Sequence, residues 1–241
     1  MKTVIVTGAS RGIGRAVAEK LGKTGWTVVV NYHKSEKAAE EVVLNIRNAG
    51  GEAYPFCCDV ADRDAIRKMV DFAVSLHGSV DALVNNAAIS EVGLFHELPL
   101  EREKRLFDVN LFGTMNTTRV VLPHMIANQA GKIVNIASMW GEVGASMEVA
   151  YSTAKAAVIG FTKALADEVA PSGIAVNAVS PGVIDTEMNA HLTEDDKKAL
   201  ADEIPMGRFG TPEEIAECVA FLLEAPYVTG QILSANGGLI R

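Results

Sequence analysis

Tyr151 and Lys155 lie four residues apart in the segment YSTAK, at the start of a predicted helix rich in small residues. Because a helix repeats about every 3.6 residues, both side chains project from the same face. A phenol, with a pKa of about 10, transfers protons poorly at neutral pH, but a nearby cation favours the phenolate and lowers that pKa. The pair could therefore act as an acid or base. A surface helix carrying an unrelated Tyr and Lys would show the same spacing.

A second informative segment is the loop TGASRGIG, which places Gly8, Gly12 and Gly14 between an apolar segment and a helical stripe. Glycines at such a junction let the backbone turn tightly and approach a pyrophosphate, which rests on the N–H groups of the helix start. This context predicts a dinucleotide site. The other loop residues taken as candidate cofactor contacts are Ser10, Arg11 and Ile13.

The residues after the second predicted strand bear on which dinucleotide is bound. An acidic side chain there usually binds the free ribose 2′-hydroxyl of NAD. The segment 31–35 reads NYHKS, and the first acid is Glu36. Arg11 and Lys34 could instead bind a 2′-phosphate through charge-assisted hydrogen bonds. The sequence therefore favours NADP(H), with Asn31 and Lys34 as candidate contacts.

Seven short apolar segments are predicted to be strands, because they are rich in β-branched residues and bounded by turn residues. They are KTVIVT, WTVVVN, EAYPFCCDV, VDALVNN, GKIVNIAS, IAVNAVS and QILSA. The helices predicted between them include an amphipathic one at about 35–49, a long one at about 99–128 and a capped one after Thr211. This alternation predicts an α/β Rossmann fold with a doubly wound parallel sheet.

No linker or change in composition divides the chain, so residues 1–241 are predicted to form one dinucleotide-binding and catalytic domain. Pro55, in the third apolar segment, is compatible with a strand only at a sheet edge or a bulge. The polar segment 183–210 carries the turn signals PG, IPMG and RFG. It is predicted to be a lid over the substrate, with an ordinary connection containing two short helices as the alternative.

Charge and composition exclude several classes of function. The formal net charge of −8 argues against a nucleic-acid surface, which needs a basic face. No apolar stretch approaches the roughly 18 residues of a membrane helix, and the N-terminus lacks a signal-peptide core. The cysteines, Cys57, Cys58 and Cys218, have no metal-site spacing and are expected to be buried small hydrophobes in a cytoplasmic protein.

Several motifs together resemble the short-chain dehydrogenase/reductase family. The glycine loop, NNA at 85–87, Asn110, Ser138 and YSTAK follow the order and spacing of that family, and the likeness extends through SPGVIDT and YVTGQILSANGG. The chain is most similar to the 3-oxoacyl-[acyl-carrier-protein] reductases within it. The resemblance implies NADPH-dependent reduction of a 3-oxoacyl thioester to the 3-hydroxyacyl product, as in fatty acid synthesis, by a homotetramer.

The resemblance assigns roles to individual side chains. It makes Tyr151 the proton donor, gives Lys155 the nicotinamide ribose hydroxyls, and has Asn110 hold a water that relays protons. Ser138 could hydrogen-bond the substrate carbonyl. An Asn bonded to the backbone inside a helix is the alternative for Asn110. Further cofactor contacts implied by the resemblance are Asp59, Val60, Asn86, Ala87, Pro181, Gly182, Ile184 and Thr186.

The chain departs from the family pattern at three positions. Ala88 replaces a glycine beside the cofactor, and Gln129 and Ser172 stand where these reductases often carry basic residues for the acyl carrier protein. Docking of that carrier is therefore an open question. The segment SMWGEVGASMEV also resembles reductases of an aminoketone attached to elongation factor P. Another ketone reductase, an alcohol dehydrogenase and a non-catalytic dinucleotide sensor remain alternatives.

Overall fold

The strands of the protein lie parallel in one sheet. The computed structural model describes residues 2–189 and 193–240. Its strands are β1 (Lys2–Val6), β2 (Trp26–Tyr32), β3 (Glu52–Cys57), β4 (Ala82–Asn85), β5 (Gly131–Ile136), β6 (Ile174–Pro181) and β7 (Ile232–Ala235). Within these described ranges, seven strands pair in the order β3-β2-β1-β4-β5-β6-β7. This order confirms the predicted doubly wound α/β fold.

Helices connect the strands. They are α1 (Gly12–Lys23), α2 (Glu36–Asn48), α3 (Arg63–His77), α4 (Leu100–Phe107), α5 (Thr114–Asn128), α6 (Met139–Val143), α7 (Val149–Val169), α8 (Glu194–Glu203) and α9 (Pro212–Glu224). Short 3₁₀ helices lie at Phe95–Glu97, Ala170–Ser172 and Glu187–Asn189. In the part of the chain that the structure describes, no helix combines the length and apolar character needed to cross a bilayer.

Two buried apolar clusters lie on opposite faces of the sheet. Neighbouring residues of β1 alternate between them, because Val4 and Val6 belong to one cluster and Ile5 to the other. Helices α1, α2 and α9 pack on the first face, and α3, α5 and α7 on the second. Since both faces are covered, β1 is buried after its first residue and β2 is buried throughout.

Strand β3 forms one edge of the sheet, which is where the missing N–H of Pro55 is tolerated, as predicted. At the end of this strand Cys57 is exposed, whereas Cys58 is buried and Cys218 is partly buried. The prediction that all the cysteines are buried is therefore wrong for Cys57. Successive side chains of a strand point in opposite directions, and at an edge one of those directions meets solvent.

The predicted long helix at 99–128 is not continuous. Helix α4 ends at Phe107, and a π-helical segment, Asp108–Gly113, leads into α5. Gly113 lies directly against Val60, because a Cβ at Gly113 would come within 2.7 Å of Val60 Cγ2. The prediction of one regular helix is wrong because the apolar pattern does not record a local change in helical repeat. Such π segments often occur at functional sites.

A crevice opens at the carboxyl ends of β1 and β4, where the strand order reverses. The glycine loop follows β1, and Asn86 and Ala87 follow β4. The two ends of the segment 183–210 lie beside each other, since Ile184 and Gly210 form an isolated bridge. It holds one short 3₁₀ helix and α8, and residues 190–192 lie outside the described residues. Its function as a lid stays a prediction.

Candidate active site

A cavity of about 900 Å³ occupies this crevice, within the size range of small-molecule sites. The sequence-predicted site residues on its wall are Gly8, Ser10, Arg11, Gly12, Ile13, Asn31, Lys34, Asp59, Val60, Asn86, Ala87, Ser138, Tyr151, Lys155, Pro181, Gly182, Ile184 and Thr186. Trp140 also lies on the wall. Of the predicted residues, Gly14 and Asn110 lie behind this wall.

The glycine loop is held open by two asparagine side chains. Asn31 Oδ1 accepts a hydrogen bond of 3.1 Å from the Gly8 N–H, and Asn86 Nδ2 donates to the main-chain oxygens of Thr7 and Gly8. Gly8 has a φ of +61°, and a Cβ there would lie 2.8 Å from Ala87 Cα. Only glycine combines this backbone conformation with so close an approach.

The side chain of Asn31 forms hydrogen bonds with the backbone around it. Besides its bond from Gly8, its amide donates a 3.0 Å hydrogen bond to the main-chain oxygen of Cys58, and the residue is only 1% exposed. Asn31 therefore joins the glycine loop to the end of β3. Its side chain positions the cavity wall, and its direct contact with the cofactor stays a prediction.

The start of α1 fits the phosphates of a dinucleotide. Its N-cap residue, Arg11, makes no side-chain capping bond in the described structure, and its first turn holds no acid. The first N–H groups of the helix therefore remain available beside the cavity, and the helix dipole favours an anion there. Together with the approach that Gly8 permits, these residues form a suitable cradle for a pyrophosphate.

Ser138, Tyr151 and Lys155 come together at the other end of the cavity. Ser138 follows β5 as the N-cap of α6, and its Oγ accepts a 3.2 Å hydrogen bond from Trp140 N–H. Tyr151 and Lys155 lie one turn apart in α7, and both are buried. Lys155 Nζ lies 5.7 Å from the centre of the Tyr151 ring and donates a 2.7 Å hydrogen bond to Ile136 O.

Burial controls the protonation of this pair. It raises the pKa of Tyr151 to about 12; hydrogen bonding with Ser138 opposes the rise, and the charge of Glu148 adds to it. Burial also lowers the pKa of Lys155 to about 8. The predicted lowering of the Tyr151 pKa by the neighbouring ammonium is not what these side chains produce, because burial dominates and the opposing contribution comes from Ser138. Tyr151 keeps its proton at neutral pH.

Asn110 has a structural position behind the cavity. Its Oδ1 accepts from Ile89 N–H and its Nδ2 donates to Ile89 O, each at 2.8 Å, and the residue is completely buried. The side chain thus fixes the chain after β4 to the π-helical segment. This is the backbone-bonded alternative that the sequence left open, and the water-relay role of Asn110 stays a prediction.

Sequence reasoning did not identify several residues of the cavity wall. Arg105 comes from α4, and its Nη2 lies 2.9 Å from Asp59 Oδ2. Glu148 precedes α7 and accepts a 3.1 Å hydrogen bond from Ser90 Oγ. A signal for Glu148 was its position three residues before Tyr151, on the same side of a helix start. No sequence signal pointed to Arg105, because only the folded chain brings α4 beside the end of β3.

This crevice and its Ser–Tyr–Lys cluster define a class of protein, the dinucleotide-dependent oxidoreductases of the α/β type. The sequence profile of the short chain dehydrogenase family matches residues 2–197. The chain belongs to that family. It is an oxidoreductase that acts on ketone or hydroxyl groups with a nicotinamide dinucleotide.

Individual relatives match the chain nearly end to end. The 3-oxoacyl-[acyl-carrier-protein] reductase FabG of Staphylococcus epidermidis is 42% identical over 240 residues, covering 99% of this chain and 98% of the relative. The protein of the same name from Aquifex aeolicus is 42% identical over 243 residues, covering 99% and 97%. The uncharacterized oxidoreductase YmfI of Bacillus subtilis is also 42% identical, over 240 residues and 98% of each chain.

Proposed function

We propose that this protein reduces the ketone of a 3-oxoacyl thioester, carried by an acyl carrier protein, to a secondary alcohol with NADPH. The observation that carries the proposal is the joint placement of Ser138, Tyr151 and Lys155 on the wall of the cavity that contains the glycine loop. The two relatives named FabG, each 42% identical to the chain, support the choice of a 3-oxoacyl substrate.

Each of the three side chains has a separate role in the reduction. A bound nicotinamide supplies the hydride. Tyr151, which burial keeps protonated, donates its phenolic proton to the carbonyl oxygen. Ser138 donates a hydrogen bond to the same oxygen and stabilises the negative charge that develops there. Lys155, a buried cation beside the phenol, helps to return a proton to Tyr151 and binds the ribose hydroxyls.

Charge at the ribose end of the cavity supports NADP(H) over NAD(H). Arg11 and Lys34 both line the cavity, and the end of β2 carries Asn31 and Tyr32 where an acid would bind a free 2′-hydroxyl. Arg11 Nη1 lies 3.1 Å from Glu187 Oε2 on the exposed surface. A 2′-phosphate could replace that carboxylate as the partner of Arg11.

A ketone that carries an amine, such as the aminoketone attached to elongation factor P, is the second candidate substrate. Glu148 favours it, because this carboxylate lines the cavity close enough to Tyr151 to raise the pKa of the phenol. A negative charge there would attract an ammonium group and gives no benefit to a neutral acyl chain. A short-chain alcohol dehydrogenase would use the same residues in reverse.

The predicted carrier-docking positions lie side by side on the surface. Gln129 ends α5 with a φ of +51°, and its main-chain oxygen is 2.4 Å from where a Cβ on Gly173, next to Ser172, would be. Neither Gln129 nor Ser172 carries a charge, so these two positions offer an acidic carrier hydrogen bonds without ion pairs. We expect carrier binding to be weaker and less salt-dependent than at a basic surface.

We also propose that the protein is a cytoplasmic homotetramer. Large apolar side chains are exposed, among them Leu100, Phe112, Phe221 and Tyr227. Tyr227 is fully exposed. Contact with further copies of the chain would cover such side chains. Light scattering coupled to gel filtration measures the mass, and a monomer at micromolar concentration would refute this proposal.

The function is tested by following NADPH oxidation with three substrates: acetoacetyl-acyl carrier protein, acetoacetyl-CoA and a small aminoketone. The proposal expects the highest kcat/KM with the carrier-bound thioester. A higher value with the aminoketone would establish the second candidate. Tyr151→Phe separates an enzyme from a dinucleotide sensor, because turnover should fall by about 10²- to 10⁴-fold while NADPH binding persists. Equal use of NADH would refute the proposed cofactor.

A further inference from the structure

Helix α6 connects Ser138 to the helix that carries Tyr151 and Lys155. Ser138 is the N-cap of α6, and Gly141 N–H donates a 2.8 Å hydrogen bond to Ser138 O. Helix α6 packs on α7, which holds the other two side chains of the cluster. The relative placement of the three side chains therefore depends on how closely α6 and α7 approach each other.

Gly141 lies at the point of closest approach between α6 and α7. A Cβ on Gly141 would lie 2.7 Å from the carbonyl carbon of Lys155, 2.9 Å from Lys155 Cβ and 2.9 Å from Ala156 N. Two of these three atoms belong to the backbone of α7, which cannot move aside as the end of a flexible side chain can. Gly141 does not have a positive φ, so the close approach of the two helices is what requires a glycine here.

Helix α7 is held more firmly than α6. It has 21 residues, about half of them buried, and its Lys155 Nζ donates a 2.7 Å hydrogen bond to Ile136 O. Helix α6 has five residues, of which Met139 is the buried one. A change that pushes the two helices apart should therefore displace α6. Because Ala137 N–H donates a 2.8 Å hydrogen bond to β6, the displacement would turn α6 about Ser138.

We propose that Gly141 is a positioning residue that sets the distance between the hydroxyl of Ser138 and the phenol of Tyr151. Both hydroxyls must reach the same carbonyl oxygen during the reduction, and a misplacement of about 1 Å can lower a rate by roughly 100-fold. A second tie lies nearby, since Ser152 Oγ on α7 accepts a 3.1 Å hydrogen bond from Ala145 N–H. This inference rests on the proposed function and adds to it a residue that does not line the cavity.

Gly141→Ala adds one methyl group at this contact. We expect kcat for the reduction of acetoacetyl-CoA with NADPH to fall about 10- to 100-fold, because the Ser138 hydroxyl no longer reaches the carbonyl oxygen. The Kd for NADPH should stay within about threefold, since the glycine loop is unchanged. Gly160→Ala on α7 is the matched control. Its Cβ would meet no described atom outside its own helix within 4 Å, so both quantities should keep their values.

A double-mutant cycle separates positioning from a general loss of structure. If Gly141 acts through Ser138, Gly141→Ala should lower kcat by less than about threefold when Ser138 is already alanine. Equal losses in the two backgrounds overturn the proposal. Ser152→Ala is a milder variant, because it removes the hydrogen bond to Ala145 N–H without adding an atom. It should lower kcat about two- to fivefold, and again only while Ser138 is present.

Crystal structures of the unaltered protein and of Gly141→Ala separate this inference from the proposed function. In the variant, the distance between Ser138 Oγ and Tyr151 Oη should increase by about 0.5 Å or more as α6 moves away from α7. An unchanged distance overturns the role of Gly141, whichever ketone is the substrate. Failure of the unaltered protein to reduce acetoacetyl-CoA or any other ketone refutes the proposed function, and the measured distance then decides the role of Gly141 by itself.

Discussion

Lys155 donates a 2.7 Å hydrogen bond to the main-chain oxygen of Ile136, and its ammonium lies 5.7 Å from the centre of the Tyr151 ring. Both side chains are buried, and burial disfavours the charged form of each. The pKa of Tyr151 is consequently raised to about 12, and that of Lys155 is lowered to about 8. At neutral pH Tyr151 therefore holds a proton that it can donate, and most Lys155 side chains are charged.

Removal of the phenolic hydroxyl should separate catalysis from binding. We expect Tyr151→Phe to lower kcat by about 10²- to 10⁴-fold, the range for loss of a general acid. Its Kd for NADPH should stay within about threefold, since the aromatic ring remains in place. Stopped-flow turnover and NADPH fluorescence titration measure the two quantities.

Ser138→Ala provides the comparison for that variant. It removes a hydrogen-bond donor to the carbonyl and should lower kcat by about 10²-fold. Because Tyr151 remains, the acid that donates the proton is still present. Unchanged turnover in both variants would mean that the reacting carbonyl lies elsewhere.

Lys155 should make the stability of the protein depend on pH. Its pKa is about 8 in the folded chain and 10.5 in its ordinary state, so the unfolded chain binds more protons between these values. The free energy of unfolding should therefore rise as the pH increases from about 8 to about 10.5. Below this window the buried ammonium destabilises the fold most, because it is charged in the folded chain. Urea unfolding without cofactor at several pH values would measure this rise.

Lys155→Met should stabilise the fold while abolishing catalysis. The shift of pKa from 10.5 to about 8 corresponds to a desolvation penalty of roughly 3 kcal/mol at neutral pH. The variant avoids this penalty, but it also loses the hydrogen bond to Ile136 O, which lowers the free energy of unfolding by about 1–2 kcal/mol. A net increase of about 1–2 kcal/mol is expected at pH 7, with no pH-dependent rise above pH 8. A destabilised variant would show that the ammonium is well solvated.

Asn110 should matter for stability because its amide satisfies both main-chain groups of Ile89. Asn110→Ala leaves these two groups without this partner in a partly buried position, and we expect a loss of about 2–3 kcal/mol in unfolding free energy. Asn116→Ala on α5 is the matched control. Its side chain accepts a hydrogen bond from the exposed Arg119, so its effect should stay within about 0.5 kcal/mol. Equal effects of the two changes would contradict the structural role.

The sequence predicted the strands and the dinucleotide crevice because period-two apolar segments and the glycine loop are local signals. It could not predict the break at Asp108–Gly113, since one local change of repeat leaves the apolar pattern intact. It also missed the pairing of Arg105 with Asp59, which depends on the distance between two elements in the folded chain. The predicted direction of the Tyr151 pKa shift differs from that in the structure for the same reason, because burial is a property of the whole fold.

The ion pair between Arg11 and Glu187 should compete with the cofactor. Both side chains are largely exposed, so the pair is worth about 0.2–1 kcal/mol. Glu187→Gln removes the competing carboxylate and should tighten NADPH binding by up to about fivefold, with a smaller gain for NADH. The gain should shrink in high salt. Titration of each dinucleotide at two salt concentrations measures it, and weaker NADPH binding would contradict the competition.

Gly14 should tolerate substitution less well than Gly12, although both belong to the same loop. A Cβ on Gly14 would lie 2.4 Å from Asn86 Nδ2 and 2.4 Å from Gly8 O, whereas one on Gly12 would meet Thr186 Cγ2 at 3.5 Å. Gly14→Ala must therefore displace the asparagine that holds the loop open. It should weaken binding of 2′,5′-ADP at least about 100-fold, since the whole cradle moves.

Gly12→Ala meets a different obstacle, because Gly12 has a φ of +53° but has room for a methyl group. The left-handed conformation costs an alanine about 1–2 kcal/mol, so its binding loss should stay near 10-fold. Calorimetry with 2′,5′-ADP compares the two variants directly. If Gly12→Ala proved the more damaging, backbone strain would control this loop, and the close approach of Asn86 to Gly14 would be secondary.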